Sequence, residues 1–334
     1  MNIVTSDREP LPPGETSMFI HRPSAPHTHT VILLHDVASN GRIFGGDLLR
    51  LGKTSAGKTL PQLFPGVRFV FPTAPRRQCH AIGQLKTTLW FDVARFEEPR
   101  YRQELQRRGL CSSARQLINL VNWEAGFVPA QNIVIGGLGQ GMAVSLTVIM
   151  VMACKLGGVI GLSGFLPFQF ELLMNITEDS STDDSDDSSN DGGQGACNSP
   201  NANEDTATAT TVTSNNNNNT GGNNGNSDET PDLGCNTPIV QAQIHERLLL
   251  GIRSDEPPSR DQTSLGTPIF LGHGKADAMI AWRHGELAFE AMRTVEYEVV
   301  WKHYDGLGHG YDVPREIDDI VDFLNTKVGL EPRT

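Results

Sequence analysis

The stretch that most constrains how this chain can fold is Asn132–Ala143, NIVIGGLGQGMA. Ile133, Val134 and Ile135 form a β-branched run, the composition of a packed strand. Glycines come next at 136, 137, 139 and 141, a density that serves tight turns and close backbone approach. From about Gln140 to Cys154 the chain is apolar on every side, the pattern of a helix buried all round. A strand, a glycine turn and a buried helix in immediate succession need a sheet on one side of the helix and further cover on the other.

The rest of the sequence supplies that sheet. Thr30–His35, Val67–Pro72, Gly158–Ser163, Thr267–Gly274 and Glu298–Tyr304 are short apolar runs bounded by polar or turn residues, as strands buried on both faces are. Helical spacing separates them. Ser112 is placed to cap a helix carrying Leu117, Leu120, Val121 and Glu124 and closed by Gly126. Ile239–Ile252 and Glu286–Thr294 read as further helices. A last one has Pro314 in its first turn, a stripe of Ile317, Ile320, Val321 and Leu324, and Gly329 at its end. Strands alternating with helices predict an α/β fold, a mostly parallel sheet with helices on both faces. Residues 1–29 carry five prolines after residue 9 and are expected to be a flexible leader. Residues 175–237 change composition to Asp, Ser, Asn, Gly and Thr, with a homopolymer at Asn215–Asn219. Such a segment has too little apolar surface to offset its ordering entropy, so a disordered insertion is expected there. Residues 30–174 and 238–330 then make one domain.

Charge and cysteines narrow the function. The net charge of −12 disfavours nucleic acid and anionic membrane surfaces as partners. Five cysteines without C-x-x-C spacing support neither a metal site nor a disulfide framework. The N-terminus lacks the order of a signal peptide, and the apolar stretch after Met142 is broken by Lys155, Gly157 and Gly158, so no transmembrane segment is expected and the cytoplasm is the default compartment. Gly52–Thr59, GKTSAGKT, matches the phosphate-loop pattern G-x-x-x-x-G-K-[ST]. That pattern holds phosphate only when a strand feeds it and a helix leaves it. Asp47–Leu51 has no strand character, and Pro61 and Pro65 interrupt the segment after the match, so it reads as a surface loop.

Several short motifs in order resemble the acyl-protein thioesterase family, the carboxylesterase/lysophospholipase branch of the α/β-hydrolases. They are Val31–His35, Pro72–Pro75, Trp90–Asp92, Gly136–Gly141, His273–Asp277 and Tyr304–His309. The resemblance implies an α/β-hydrolase fold with a nucleophile elbow, G-x-S-x-G, framed here by Gly137 and Gly141. It implies that Asp277 is the triad acid and His309 the general base, and that the backbone N–H groups of Val37 and Gln140 are the oxyanion donors. Acylated proteins, lysophospholipids or other carboxylic esters are the implied substrates, with transient membrane-surface contact compatible with them. No cofactor and no metal are implied.

Two positions depart from the family pattern. The nucleophile position is Gly139, which carries no hydroxyl, so an acyl-enzyme cannot form there. The family's H-G-x-G is His35-Asp36-Val37-Ala38, which sets a carboxylate near an intended anion site. Ser145, one helical turn beyond the elbow, points into or around the helix and is not expected to substitute. His35, His273 and His303 are expected to be structural. Two functions are compatible with these residues: a thioesterase-like hydrolase in which a hydroxyl restored at 139 would meet a waiting base, or a catalytically inactive pseudohydrolase that binds acyl groups, lipids or partners.

Overall fold

A computed structural model describes residues 17–179, 237–253 and 256–333, which belong to one compact unit of the chain. Seven strands form its main sheet. In chain order they are β1 (Met18–His21), β2 (His29–Leu34), β3 (Val67–Pro72), β6 (Ile133–Leu138), β7 (Gly158–Leu162), β8 (Ile269–Gly274) and β9 (Val299–Tyr304). The spatial order is β1-β3-β2-β6-β7-β8-β9, with every neighbouring pair parallel except β1 against β3. A small antiparallel pair, β4 (Arg76–Cys79) and β5 (Leu85–Thr88), stands apart.

Side-chain alternation divides the core into two layers. Ile32, Leu34, Ile133, Ile135, Val159, Ile269 and Leu271 point to one face, where α3 (Gln106–Glu124), α4 (Gln140–Val151), α6 (Pro238–Leu249) and α7 (Trp282–Thr294) pack. Val31, Leu33, Val134, Ile160, Leu162 and Phe270 point to the other, against α1 (Gly41–Leu51), α2 (Leu60–Leu63) and α8 (Arg315–Thr326). Successive strand residues face opposite sides, so runs with both faces covered must be apolar throughout. Every residue of α4 is buried, which is why its sequence shows no polar stripe. None of the helices among the described residues is long and apolar enough to cross a membrane.

Several expectations need correction. The segment before residue 30 is not irregular throughout. Met18–His21 pairs with Val70 and its neighbours as the antiparallel edge of the sheet, and Phe19 stacks on Phe71 at 5.9 Å. Ser112 does not begin a helix, because α3 starts at Gln106 and Ser112 lies inside it, accepting a hydrogen bond from Arg77 Nη2 at 3.1 Å. A helix α5 spans Gln169–Asp179, past the start expected for the insertion. Residues 180–236 of that insertion lie outside the described residues.

The phosphate-loop match has the wrong context. Helix α1, not a strand, precedes it, and Gly52 caps that helix. Lys53 and Thr59 form an isolated antiparallel bridge across the turn, and the element after it is a four-residue helix with Pro61 in its first turn. The loop is tied to α8 by Ser55 N–H donating to Asp318. Isothermal titration with ATP–Mg²⁺ or GTP–Mg²⁺ at millimolar concentration should give no saturable heat. Binding that disappears in Lys58→Ala would reverse this reading.

Candidate active site

The elbow is built by close approach. A Cβ at Gly137 would lie 2.3 Å from Leu34 O, and one at Gly141 2.2 Å from the same oxygen, so β2, β6 and α4 come this near only with glycine at both positions. Between them Gly139 has φ 56° and ψ −113°, a conformation that costs other residues on the order of 1–3 kcal/mol. Gly139 N–H donates to Leu162 O at 2.9 Å, which fixes the turn to β7.

The space beside Gly139 is filled by Asp36. A Cβ built on Gly139 would meet Asp36 Oδ1 at 2.1 Å and its Cγ at 2.2 Å. The carboxylate of Asp36 therefore sits where a serine side chain at 139 would begin. The sheet register explains how it gets there. Leu34 pairs with Gly137 on adjacent parallel strands, so positions two residues further on, 36 and 139, leave the sheet side by side.

Asp36 takes over the serine's partners as well as its space. Gln140 N–H donates to Asp36 Oδ1 at 2.8 Å, and Asp36 Oδ2 lies 2.8 Å from His309 Nε2. On its other side His309 Nδ1 lies 2.8 Å from Asp277 Oδ2. Both ring nitrogens thus face carboxylate oxygens, and both donate only if the ring is an imidazolium. Burial alone would lower the His309 pKa, but the hydrogen bonds it donates to Asp277 and Asp36, together with their charges, outweigh burial and push it up to about 9.

Asp277 is held more tightly still. Its Oδ2 also accepts from His273 Nε2 at 3.1 Å, and its Oδ1 from the N–H groups of Met279 and Ile280 at 2.9 Å each. Burial would raise its pKa, yet the bonds from His273, His309 and Ile280 prevail and hold it well below the usual carboxylate range. His273 is wholly buried and donates through Nε2 to Asp277 and to Ile280 O, a structural use of the ring. His35 is structural in the same sense. Ala74 N–H donates to its Nε2 at 2.9 Å, and its Nδ1 is hydrogen-bonded to Asp36 O. His303 differs, being exposed on β9 with its ring 6.4 Å from that of Trp282.

The other expected residues are accounted for. The Gln140 side chain accepts from Trp90 N–H at 3.0 Å and donates to Phe91 O at 2.7 Å, tying the Trp90–Phe91 segment to the elbow helix. Val37 is half-buried against Cys79, Leu89 and Val93, and the neighbouring Ala38 N–H donates to Thr88 O. Ser145 is fully buried and donates to Gly141 O at 2.8 Å, the i−4 bond of a helical serine, so it does not reach the elbow. Ser163 Oγ donates to Gly310 O at 2.8 Å and anchors the loop that carries His309. Asp36 holds both the space beside Gly139 and His309 Nε2, so the expected waiting base is already paired in this structure.

The profile of the phospholipase/carboxylesterase family matches residues 15–181 and 253–328. Acyl-protein thioesterase 1 of Yarrowia lipolytica is 34% identical over 310 residues, 91% of this chain and 94% of that protein. Its counterpart in Gibberella zeae is 22% identical over 320 residues, covering 94% and 97%. Among solved structures, Zea mays acyl-protein thioesterase 2 superposes with a TM-score of 0.58 at 21% identity, covering 94% of this chain and all of that one, a likeness of fold. On the family match and the full-length identity together, this chain belongs to the phospholipase/carboxylesterase family of α/β-hydrolases, on the acyl-protein thioesterase branch.

Proposed function

We propose that this chain is a pseudohydrolase of the acyl-protein thioesterase branch, one that recognises acylated proteins, lysophospholipids or related esters without cleaving them through an acyl-enzyme. One observation carries the reading: the Asp36 carboxylate stands in the space of the missing serine and uses both of the groups a serine mechanism needs. A serine hydrolase requires a hydroxyl beside a neutral imidazole and an open N–H for the developing oxyanion. In this chain the imidazole is paired with two carboxylates, and Gln140 N–H is already bonded to Asp36. Loss of the nucleophile alone costs on the order of a million-fold in turnover.

A fluorophosphonate probe, which labels only an activated hydroxyl, should leave the protein unlabelled, and a palmitoyl-thioester peptide should stay intact. A thioether analogue of that peptide, which cannot be cleaved, should bind saturably. Labelling of the native chain, or thioester turnover at the rate of a serine enzyme, would end this reading.

A further inference from the structure

The main sheet ends on β9, and the register of β9 against β8 fixes which backbone groups its outer edge carries. Ile269 N–H donates to Glu298 O at 2.9 Å, and Lys275 N–H donates to Tyr304 O at 3.0 Å. With Ile269 paired to Val299 and Leu271 to Trp301 in a parallel ladder, residues 298, 300, 302 and 304 bond inward to β8. Val299, Trp301 and His303 therefore turn their N–H and C=O groups away from the sheet. Among the described residues, no hydrogen bond meets those groups from the outer side.

An open edge is a template for another strand, and charges placed on it select which strand can pair. Glu298, just before β9, and Lys302 within it have opposite signs and stand two residues on either side of Val300. Their spacing puts them on one face of the sheet, where both reach α8. Glu298 pairs with Lys327, and Lys302 pairs with Asp319 at 3.0 Å. Both stay open to a partner, with 61% of the Glu298 side chain and 46% of the Lys302 side chain exposed.

We propose that the β9 edge is an interface for a second copy of this chain, the two strands running antiparallel about Val300 so that Glu298 of each copy faces Lys302 of the other. The backbone limits the registers, and the charges choose among them. Outward groups must oppose outward groups, so the two-fold axis passes beside a residue and not between two. With the axis at Val299, Glu298 would face Val300. At Trp301, Glu298 would face Tyr304 and Val300 would face Lys302. At Lys302, two ammonium groups would meet. Only the axis at Val300 opposes Glu298 to Lys302, and it also lets Val299 and Trp301 of the two copies exchange N–H···O bonds. The charged residues then form non-hydrogen-bonded pairs, the kind in which facing side chains come closest. The new contacts extend the ion pairs already present instead of competing with them. Signs alternate from Lys327 to Glu298 of one copy, then to Lys302 and Asp319 of the other, and such a network is worth more than an isolated exposed pair. Val299, Val300 and Trp301, each half-buried in a single copy, supply β-branched and aromatic contact along the seam. A foreign strand could satisfy the backbone, but this charge pattern is complementary to itself.

Sedimentation velocity of the full chain at micromolar concentrations should show a monomer–dimer equilibrium. Lys302→Glu, which removes only an exposed ion pair within the chain, should weaken dimerisation at least about tenfold, as should Glu298→Lys. Combining the two reversals should restore dimerisation, which a general loss of structure would not allow. Val300→Cys should give, under mild oxidation, a disulfide joining the copies at position 300, because non-hydrogen-bonded partners have Cα atoms about 4.5 Å apart. Val299→Cys should give none, since its two copies lie two residues apart along the seam. A chain that stays monomeric at every concentration would overturn the proposal. A dimer indifferent to the charge reversals, or one that does not cross-link at position 300, would overturn it too, because the copies would then meet elsewhere.

Discussion

The double variant Asp36→Gly/Gly139→Ser is expected to raise hydrolysis of a p-nitrophenyl ester or short thioester by at least about three orders of magnitude, while neither single change does. Gly139→Ser alone would set a Cβ 2.1 Å from Asp36 Oδ1, so either the new side chain or the carboxylate must leave its position. The introduced hydroxyl would also find His309 Nε2 already paired with Asp36. Asp36→Gly alone would vacate the site and release His309 and Gln140 N–H, but it would supply no nucleophile. The double variant restores the family pattern at 36 and 139 while keeping Asp277 on His309 Nδ1. It should be labelled by fluorophosphonate, and a third change, His309→Ala, should abolish the gain. The elbow conformation, φ 56° and ψ −113°, costs a non-glycine residue on the order of 1–3 kcal/mol, so a modest loss of melting temperature is expected. Equal activity in the Gly139→Ser single variant and the double variant would show that Asp36 does not block the site.

The second large effect concerns stability above neutral pH. Glu246 on α6 is wholly buried, and neither of its carboxyl oxygens has a hydrogen-bond partner among the described residues. Burial pushes its pKa up to about 8. Glu316 on α8 is likewise buried and pushed up to about 8, although its Oε2 accepts from Asp312 N–H. A folded pKa above the unfolded value means the contribution is fully present below the unfolded pKa, about 4.3 for Glu, and lost as pH rises through about 8. His309, pushed up to about 9, acts in the same direction, its contribution declining from the unfolded pKa, about 6.5, through about 9. Stability should therefore fall steadily between about pH 5 and about pH 8.5, by a few kcal/mol for each buried glutamate at most. Glu246→Gln, neutral at every pH, should flatten that slope in denaturant titrations and raise stability at the alkaline end. An unchanged slope would mean that Glu246 is solvated or paired in solution.

Much of this protein was readable from local pattern. Apolar runs at Thr30–His35, Val67–Pro72, Gly158–Ser163 and Thr267–Gly274 correspond to β2, β3, β7 and β8, because strands covered on both faces carry no polar alternation to obscure them. The phosphate-loop match joins two helices, in keeping with its prolines and the lack of a preceding strand. Helical geometry alone keeps Ser145 away from the elbow, and its hydroxyl turns back to Gly141 O. Where the sequence misled, a long-range contact outweighed a local signal. Prolines before residue 30 marked an irregular leader, yet Met18–His21 gains cross-strand bonds and Phe19–Phe71 stacking from β3, distant in sequence. Ser112 looked like a cap, but capping requires a helix to start there, and packing extends α3 back to Gln106.

The sequence by itself determined the order of the parallel strands from Thr30 onward, the elbow frame and the absence of a hydroxyl at 139. It also put Asp277 and His309 in named loops and an unexpected carboxylate at 36. Only the tertiary structure decided that the changes at 36 and 139 belong together. Asp36 and Gln140 are 104 residues apart, and no local rule connects them. Parallel pairing of β2 with β6 in the register Leu34 to Gly137 sets positions 36 and 139 side by side. A side chain gained after one strand then fills the space of a side chain missing after its neighbour, and the close packing at that end of the sheet leaves no room for both.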